Sequence, residues 1–259
     1  MQLIKTTRIV KVLVIIAALF ISAPVLADDF LLQVMHTDAY EVMGQKQPAI
    51  DDTTIIWLTD GKACTQNPDN SSVIYNAEEN SIYMLNNEKK EYSVIQLGQA
   101  AGDAKGESGD ESQAAMMKRA QAMMGKPKIT VTLSEETKKI GDWQTKKYDV
   151  NLAMAMMASK QQMWVTEDIK IDNSALHAVS GGMMAQMPGF ADIIEQMKQI
   201  KGVPVLTVTS ASVMGQKIIT TTELIEYSEK DAPDGIYDVP NGYKKVEMNM
   251  GRGMGMGGH

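Results

Sequence analysis

The stretch Lys128-Ile129-Thr130-Val131-Thr132-Leu133 alternates polar and apolar side chains, and residues 147–156 show the same period of two. This period is typical of strands that bury one face. Eight further β-branched or aromatic runs are less regular: 30–37, 54–59, 72–76, 81–85, 92–97, 163–166, 205–214 and 217–227. The sequence therefore predicts a mainly β (α+β) fold with about ten strands.

Residues that tolerate tight hairpins separate several of these runs. Asp60-Gly61, Asn86-Asn87 and Gly215-Gln216 are of the types that adopt positive φ at low cost. We expect a meandering, curved antiparallel sheet or half-barrel. The pentapeptide at 42–46 recurs at 213–217, which is compatible with equivalent turns in two sheet halves or with coincidence.

Two helical elements are predicted to cover the concave side of this sheet, at about 110–125 and 173–200. The first carries methionines at helical spacing: Met116, Met117, Met123 and Met124. The second is interrupted at Gly181-Gly182, and three more methionines lie at this break: Met183, Met184 and Met187. Gly125 and Gly202 are placed to end the two elements.

The amino-terminal 27 residues have the pattern of a secretory signal peptide. Lys5, Arg8 and Lys11 precede an apolar run at 12–21, and a short segment ends at Ala27. The run is too short for the roughly 20 residues of a membrane-spanning helix, so we expect cleavage near Ala27 and no stable membrane span afterwards. The expected mature protein is periplasmic or secreted. It comprises one domain at 28–246, a flexible insert at about 100–110 and a flexible tail at 247–259.

Charge and cysteine content exclude several classes of protein. Loss of the three leader cations would change the formal charge from −7 to −10, which argues against a nucleic-acid partner. Cys64 is the sole cysteine, so an intramolecular disulfide is impossible. It lies in a strand-like run, which favours a buried small apolar side chain over a reactive thiol.

Methionine is the compositional anomaly, with 21 residues against three phenylalanines. Three interpretations remain open: an ordinary core, an adaptable wall for a lipid-like ligand, or soft thioether ligands for Cu(I). The tail at 248–259 contains four methionines and ends in His259, which suits copper binding or reversible oxidation as well as simple disorder.

No catalytic motif is present among the common hydrolase, phosphate-binding or metalloprotease patterns, so we expect no enzymatic activity and no cofactor. We expect an apolar or amphipathic ligand between sheet and helices. The candidate lining residues are Trp57, Met116, Met117, Met123, Met124, Trp164, Met183, Met184 and Met187. The alternatives are a Cu(I)-binding or oxidant-buffering protein and a structural protein with an envelope partner.

Four segments in a fixed order, 140–150, 163–168, 201–205 and 237–245, together with the methionine-rich tail, resemble the exported bacterial family called domain of unknown function 4412. The resemblance spans most of the mature chain and implies no activity and no functional residues. More distantly, the arrangement is similar to periplasmic lipoprotein-carrier folds. That likeness implies a curved antiparallel sheet that holds an acyl chain beneath helices.

Overall fold

The computed structural model describes residues 27–42, 44–97, 127–154, 157–171, 191–213 and 215–247. These ranges contain fourteen strands and one helix. In chain order they are β1 (Asp28–Thr37), β2 (Tyr40–Val42), β3 (Gln45–Gln47), β4 (Ile50–Thr59), β5 (Lys62–Gln66), β6 (Ser71–Asn76), β7 (Ser81–Asn86), β8 (Glu91–Gln96), β9 (Lys128–Ile140), β10 (Trp143–Met154), β11 (Met157–Thr166), α1 (Ala191–Met197), β12 (Val203–Val213), β13 (Gln216–Lys230) and β14 (Lys244–Lys245).

Twelve strands form one sheet in the order β14-β8-β7-β6-β5-β4-β1-β13-β12-β11-β10-β9, and β2 with β3 forms a separate hairpin. Strands β4 to β8 and β9 to β13 are two meanders, and β1 joins them by pairing with β4 and β13. The described pairs are antiparallel except for β14, which runs parallel to β8. The mainly β class is confirmed, and the sheet is mixed and open.

Three short strands, β2, β3 and β14, were absent from the sequence prediction, and others are longer than predicted. β5 was predicted only as a strand-like run around Cys64, and it becomes a strand of five residues because it pairs with β4 on one side and β6 on the other. β9 continues to Ile140 through the charged segment 134–139, where its sequence does not alternate. In both cases pairing with neighbours overrides weak intrinsic preference.

The predicted count of two helical elements is not supported by the described residues. The described ranges contain one helix of seven residues, α1, which lies within the predicted element at 173–200 and ends at Met197. Residues 172–190 and the predicted helix at 110–125 lie outside the described residues, as do the leader to position 26, the insert at 100–110 and the tail beyond 247. Among the described residues, no helix has both the length and the apolar character to cross a bilayer.

The repeated pentapeptide forms two equivalent hairpin turns. Val42 pairs with Gln45, and Val213 pairs with Gln216, so each turn has two central residues. The second central residue is Gly44 in one turn (φ 78°) and Gly215 in the other (φ 83°). Glycine is favoured there because a side chain disfavours positive φ.

The strand register assigns side chains to the two faces of the large sheet. In β1, Leu31 and Met35 share one face because alternate residues of a strand point to the same side. Met35 stands opposite Thr222 of β13, and the register continues through Thr207 of β12 to Met163 of β11. Leu31, Met35 and Met163 are therefore on the same face.

Buried apolar side chains occupy both faces. The central cluster consists of Leu31, Ile56, Leu58, Ala63, Ile169, Val203, Val205 and Leu224. The lateral cluster consists of Tyr148, Val150, Met163, Val165 and Ile200. By the register both lie on the face of Leu31, whereas the outer cluster lies on the opposite face and consists of Phe30, Trp57, Cys64, Ile74 and Leu85.

The central cluster extends across much of the sheet. Its strand members come from β5, β4, β1, β13 and β12, and Tyr75 of β6 and Trp143 of β10 pack against it. We call the face that carries the central and lateral clusters the concave face, after the curvature predicted from the sequence, and the opposite face, which carries the outer cluster, the convex face.

Candidate functional site on the concave face

Two adjacent rows of uncharged side chains cross the concave face over six strands. The first row is Met35, Thr222, Thr207, Met163, Tyr148 and Leu133. The second row is Thr37, Thr220, Thr209, Gln161, Val150 and Val131. Both rows carry threonines on β13 and β12, the second row carries a further threonine on β1, and both rows become apolar over β10 and β9.

The apolar part of these rows is packed beneath the helix. Tyr148, Val150 and Met163 are buried in the lateral cluster, and Met197 of α1 packs against it. Ile200, three residues after the helix ends, is itself a member of the lateral cluster. α1 therefore covers the concave face where β9, β10 and β11 lie.

Five threonine hydroxyls form a patch at the other end of the rows. Thr37 and Thr220 approach each other, with 3.4 Å between their Oγ1 atoms. Within the described ranges, the hydroxyls of Thr207, Thr209 and Thr222 make no hydrogen bond to another protein group, and these side chains are half-buried. A hydroxyl both donates and accepts, so the patch can bind an uncharged polar group.

The apolar rows reach the open edge of the sheet at β9. Ile129 and Val131 are half-buried and pack against the lateral cluster. Leu133, at the end of the first row, is 55% exposed. An apolar strip therefore runs from the buried lateral cluster to solvent at this edge.

Both predicted tryptophans lie on the convex face. The ring of Trp57 packs edge-on against Phe30, with 4.8 Å between centroids, inside the outer cluster. Trp164 points away from Met163 and Val165, and Lys138 Nζ lies 3.9 Å from its ring centroid. Neither residue belongs to the concave rows, and a role in ligand binding stays a prediction for both.

The seven methionines that were predicted to line the ligand site are not among the residues that the structure describes. Met116, Met117, Met123, Met124, Met183, Met184 and Met187 lie outside the described residues. The predicted copper-binding tail at 248–259 is outside them too. Among the residues that the structure does describe, no group of three or more His, Cys, Asp or Glu side chains is arranged to hold a metal ion.

A segment without regular structure, residues 231–243, covers the outer cluster, and we call it the strap. Asp28 holds its start: the Ala232 N–H donates to Asp28 Oδ2 at 2.9 Å, and the Tyr237 hydroxyl donates to Asp28 Oδ1 at 3.1 Å. At its end, the Tyr243 hydroxyl donates to Asn87 Oδ1 at 3.0 Å. The first residue of β1 thus fixes the carboxy-terminal segment on the convex face.

Two surface depressions are lined mainly by polar side chains. One, of about 370 Å³, lies at the start of β10 and the end of β11, beside the ion pair between Lys146 Nζ and Glu167 Oε1 at 2.8 Å. The other, of about 410 Å³, includes Asp149, Gln162 and Val208, which share the convex face by register. Neither is the apolar hollow that the composition led us to expect.

Cys64 and His36 are two of the titratable side chains whose pKa values are shifted, each by a clear physical cause. Burial in the outer cluster raises the pKa of the Cys64 thiol to about 11, which suits an inert apolar side chain. His36 Nδ1 lies 2.6 Å from Asp51 Oδ1, and this hydrogen bond, with the nearby charges of Asp51 and Asp38, raises the pKa of His36.

The threonine patch was not identified from the sequence, although the spacing of its threonines is a signal that could have indicated it. Thr207 and Thr209 are two residues apart in one predicted strand, and Thr220 and Thr222 are two apart in the next. That spacing places each pair on one face of its strand. Alignment of the two pairs depended on the β12–β13 register, which the sequence did not specify.

Comparisons with known proteins provide no functional assignment for this chain. No protein-family profile and no curated protein matches this chain. Among solved structures, a crystal structure described as a "putative outer membrane lipoprotein-sorting protein domain from Vibrio parahaemolyticus" aligns with 80% of this chain and 87% of its own, at 8% identity and a TM-score of 0.29. This similarity is too low to carry an argument, so the resemblances to the 4412 family and to lipoprotein carriers stay predictions.

Proposed function

We propose that this chain is an exported, non-enzymatic protein that binds an amphipathic ligand with an uncharged head group on its concave face. The observation that carries the proposal is the pair of uncharged rows, which are apolar over β10 and β9 and hydroxyl-bearing over β12 and β13. An acyl or other apolar chain would lie against the edge of the lateral cluster, along the half-buried Ile129 and Val131 and the exposed Leu133. The head group would bind the threonine patch.

The chemistry of the rows favours a neutral head group over an anionic one. Neither row contains a Lys, Arg or His side chain that could pair with a phosphate or carboxylate. The whole chain is acidic, with a formal charge of −7, and a negative protein disfavours an anionic ligand. Hydroxyls bind esters and alcohols without the desolvation cost of pairing buried charges.

Displacement of an environment-sensitive apolar dye tests the proposal. The chain from Asp28 to His259, purified without detergent, should bind the dye, and a monoacylglycerol should displace it at lower concentration than a lysophosphatidylglycerol of equal chain length. No dye binding, or no displacement by either lipid, would contradict the proposal. Preferred displacement by the anionic lipid would contradict the assigned head group.

Neighbouring threonines of β13 provide a matched pair of variants. Thr222→Asp places a charge in the first concave row, whereas Thr221→Asp places one on the convex face of the same strand. We expect the first change to weaken monoacylglycerol binding by about tenfold or more, because it buries a charge against the ligand, and the second to leave it unchanged. Equal effects of the two changes would place the ligand elsewhere.

A further inference from the structure

The edge strand β9 differs in its two halves. Residues 128–133 pair regularly with β10, but Leu133 is opposite Tyr148 and Thr137 is opposite Lys146, so three residues of β9 face Lys147 alone. This bulge is held by Glu136, whose Oε1 accepts a 2.8 Å hydrogen bond from Lys147 Nζ. Bulges and edge lysines prevent pairing with another chain. The half that follows the bulge contains Lys138 and Lys139 and is therefore protected.

The half before the bulge has no such protection. Among the described strands, β9 pairs with β10 alone, so the outer backbone groups of 128–133 have no strand partner there. The segment contains one charge, Lys128, and it contains neither proline nor glycine. Its side chains Thr130, Thr132 and Leu133 are exposed. A regular, weakly charged edge of this kind is competent to pair with another strand.

The sequence of this half is symmetric about Val131. Ile129-Thr130-Val131-Thr132-Leu133 has an apolar residue, a threonine, a valine, a threonine and an apolar residue in order. In an antiparallel pair of two such strands centred on Val131, Thr130 of each strand stands opposite Thr132 of the other, and Ile129 stands opposite Leu133. Pairs of threonines and of β-branched or aliphatic residues stabilise neighbouring strands.

We infer that two copies of this protein pair through residues 128–133 of β9 around a two-fold axis at Val131. A two-fold interface requires a self-complementary surface, and the symmetric segment supplies one. The pairing would cover Leu133 with Ile129 of the second copy, satisfy the outer backbone groups of both segments, and continue the concave apolar strip from one copy into the other. This inference stands independently of the proposed ligand.

Charge substitutions at the two threonines test the register. T130K/T132K places like charges opposite each other across the axis, and T130E/T132E does the same with the opposite sign. Analytical ultracentrifugation of the chain from Asp28 to His259 should show a concentration-dependent dimer, and each double variant alone should dimerise at least about tenfold more weakly. An equimolar mixture of the two variants should restore dimerisation, because lysine then faces glutamate.

Thr137→Lys serves as the control, since Thr137 is exposed on the same strand but lies after the bulge. It should leave dimerisation unchanged. A wild-type chain that stays monomeric at all concentrations, a dimer that both double variants leave intact, or a mixture that fails to recover would each overturn the inference. Equal weakening by Thr137→Lys would show an effect of net charge and overturn it as well.

Discussion

At the scale of single residues, Gly202 is, among the glycines that the structure describes, the one where an added side chain would meet the closest atom. It links α1 to β12 with φ 107°, and a Cβ atom there would lie 2.1 Å from the carbonyl oxygen of Thr166. The Thr166 carbonyl is backbone of β11 beside a fully buried side chain, so it cannot move aside cheaply. The close approach of two chain segments, in addition to positive φ, requires glycine here.

Replacement of Gly202 by alanine should therefore destabilise the protein more than the same change at Gly215. Gly215→Ala meets no atom within 4 Å and costs mainly the positive φ, about 1 kcal/mol. Gly202→Ala adds a backbone clash and should cost about 3 kcal/mol or more. Urea unfolding of both variants measures the difference. Equal losses would show that β11 moves away from Gly202 without cost.

His36 predicts a pH-dependent contribution to stability. Its folded pKa is raised by Asp51, so the protonated ring stabilises the fold fully below the unfolded pKa of ~6.5. This contribution is lost as pH rises through the folded pKa. Titration of the His36 ring protons by NMR should give a pKa above ~6.5, and Asp51→Asn should lower it. An unchanged pKa in that variant would assign the shift to Asp38 or other groups.

At the scale of elements, the strap and β1 depend on each other. Phe30 and Trp57 are buried in the outer cluster, and Ile236, Tyr237 and Val239 of the strap pack against that cluster. The strap has no regular secondary structure, so its position depends on these apolar contacts and on the two hydrogen bonds to Asp28. Loss of the Asp28 carboxylate should loosen the strap before it affects the strands.

Asp28→Ala tests this dependence. It removes the acceptor for Ala232 N–H and for the Tyr237 hydroxyl, and hydrogen bonds to a charged group contribute about 2 kcal/mol each. Hydrogen exchange at 232–243 should accelerate, while exchange in β12 and β13 should change little. Asp142→Ala, in the exposed β9–β10 turn, is the control and should alter neither region. Uniform acceleration across the sheet would contradict a local role.

At the scale of the whole molecule, the sheet carries apolar clusters on both faces. β1, β4 and β5 each contribute side chains to the central cluster on one face and to the outer cluster on the other. Full burial of a Leu, Ile or Val side chain contributes about 1.5–3 kcal/mol, so these three central strands concentrate much of the stability. Cys64 of β5 lies in this region and reports on its opening.

The Cys64 thiol should resist alkylation in the native protein and react readily in denaturant. Its side chain is 1% exposed and its pKa is raised to about 11, so little thiolate is available to the reagent at pH 8. The rate measured with iodoacetamide under native conditions should follow the free energy of unfolding in destabilised variants. Rapid native alkylation would show that the strap opens independently of the sheet.

A strand could be recognised from the sequence when its own residues alternate, and was harder to recognise when pairing with neighbouring strands holds it in place. The half of β9 at 128–133 and most of β10 were predictable because their alternation is local. The charged end of β9 was not predictable, and β5 was recognised only as a strand-like run around Cys64, because cross-strand pairing holds both in place. Residue identity suggested Trp57 and Trp164 as ligand contacts, but strand parity places both on the convex face.

The sequence by itself determined the β class, the hairpin glycine at 215 and the absence of an intramolecular disulfide, since each of these follows from local pattern or from a single residue count. The tertiary structure alone decided that β1 joins two meanders and which threonines share the concave face. These features depend on strand register and on contacts between residues far apart in the chain. A shift of one residue in register would exchange the two faces of any strand.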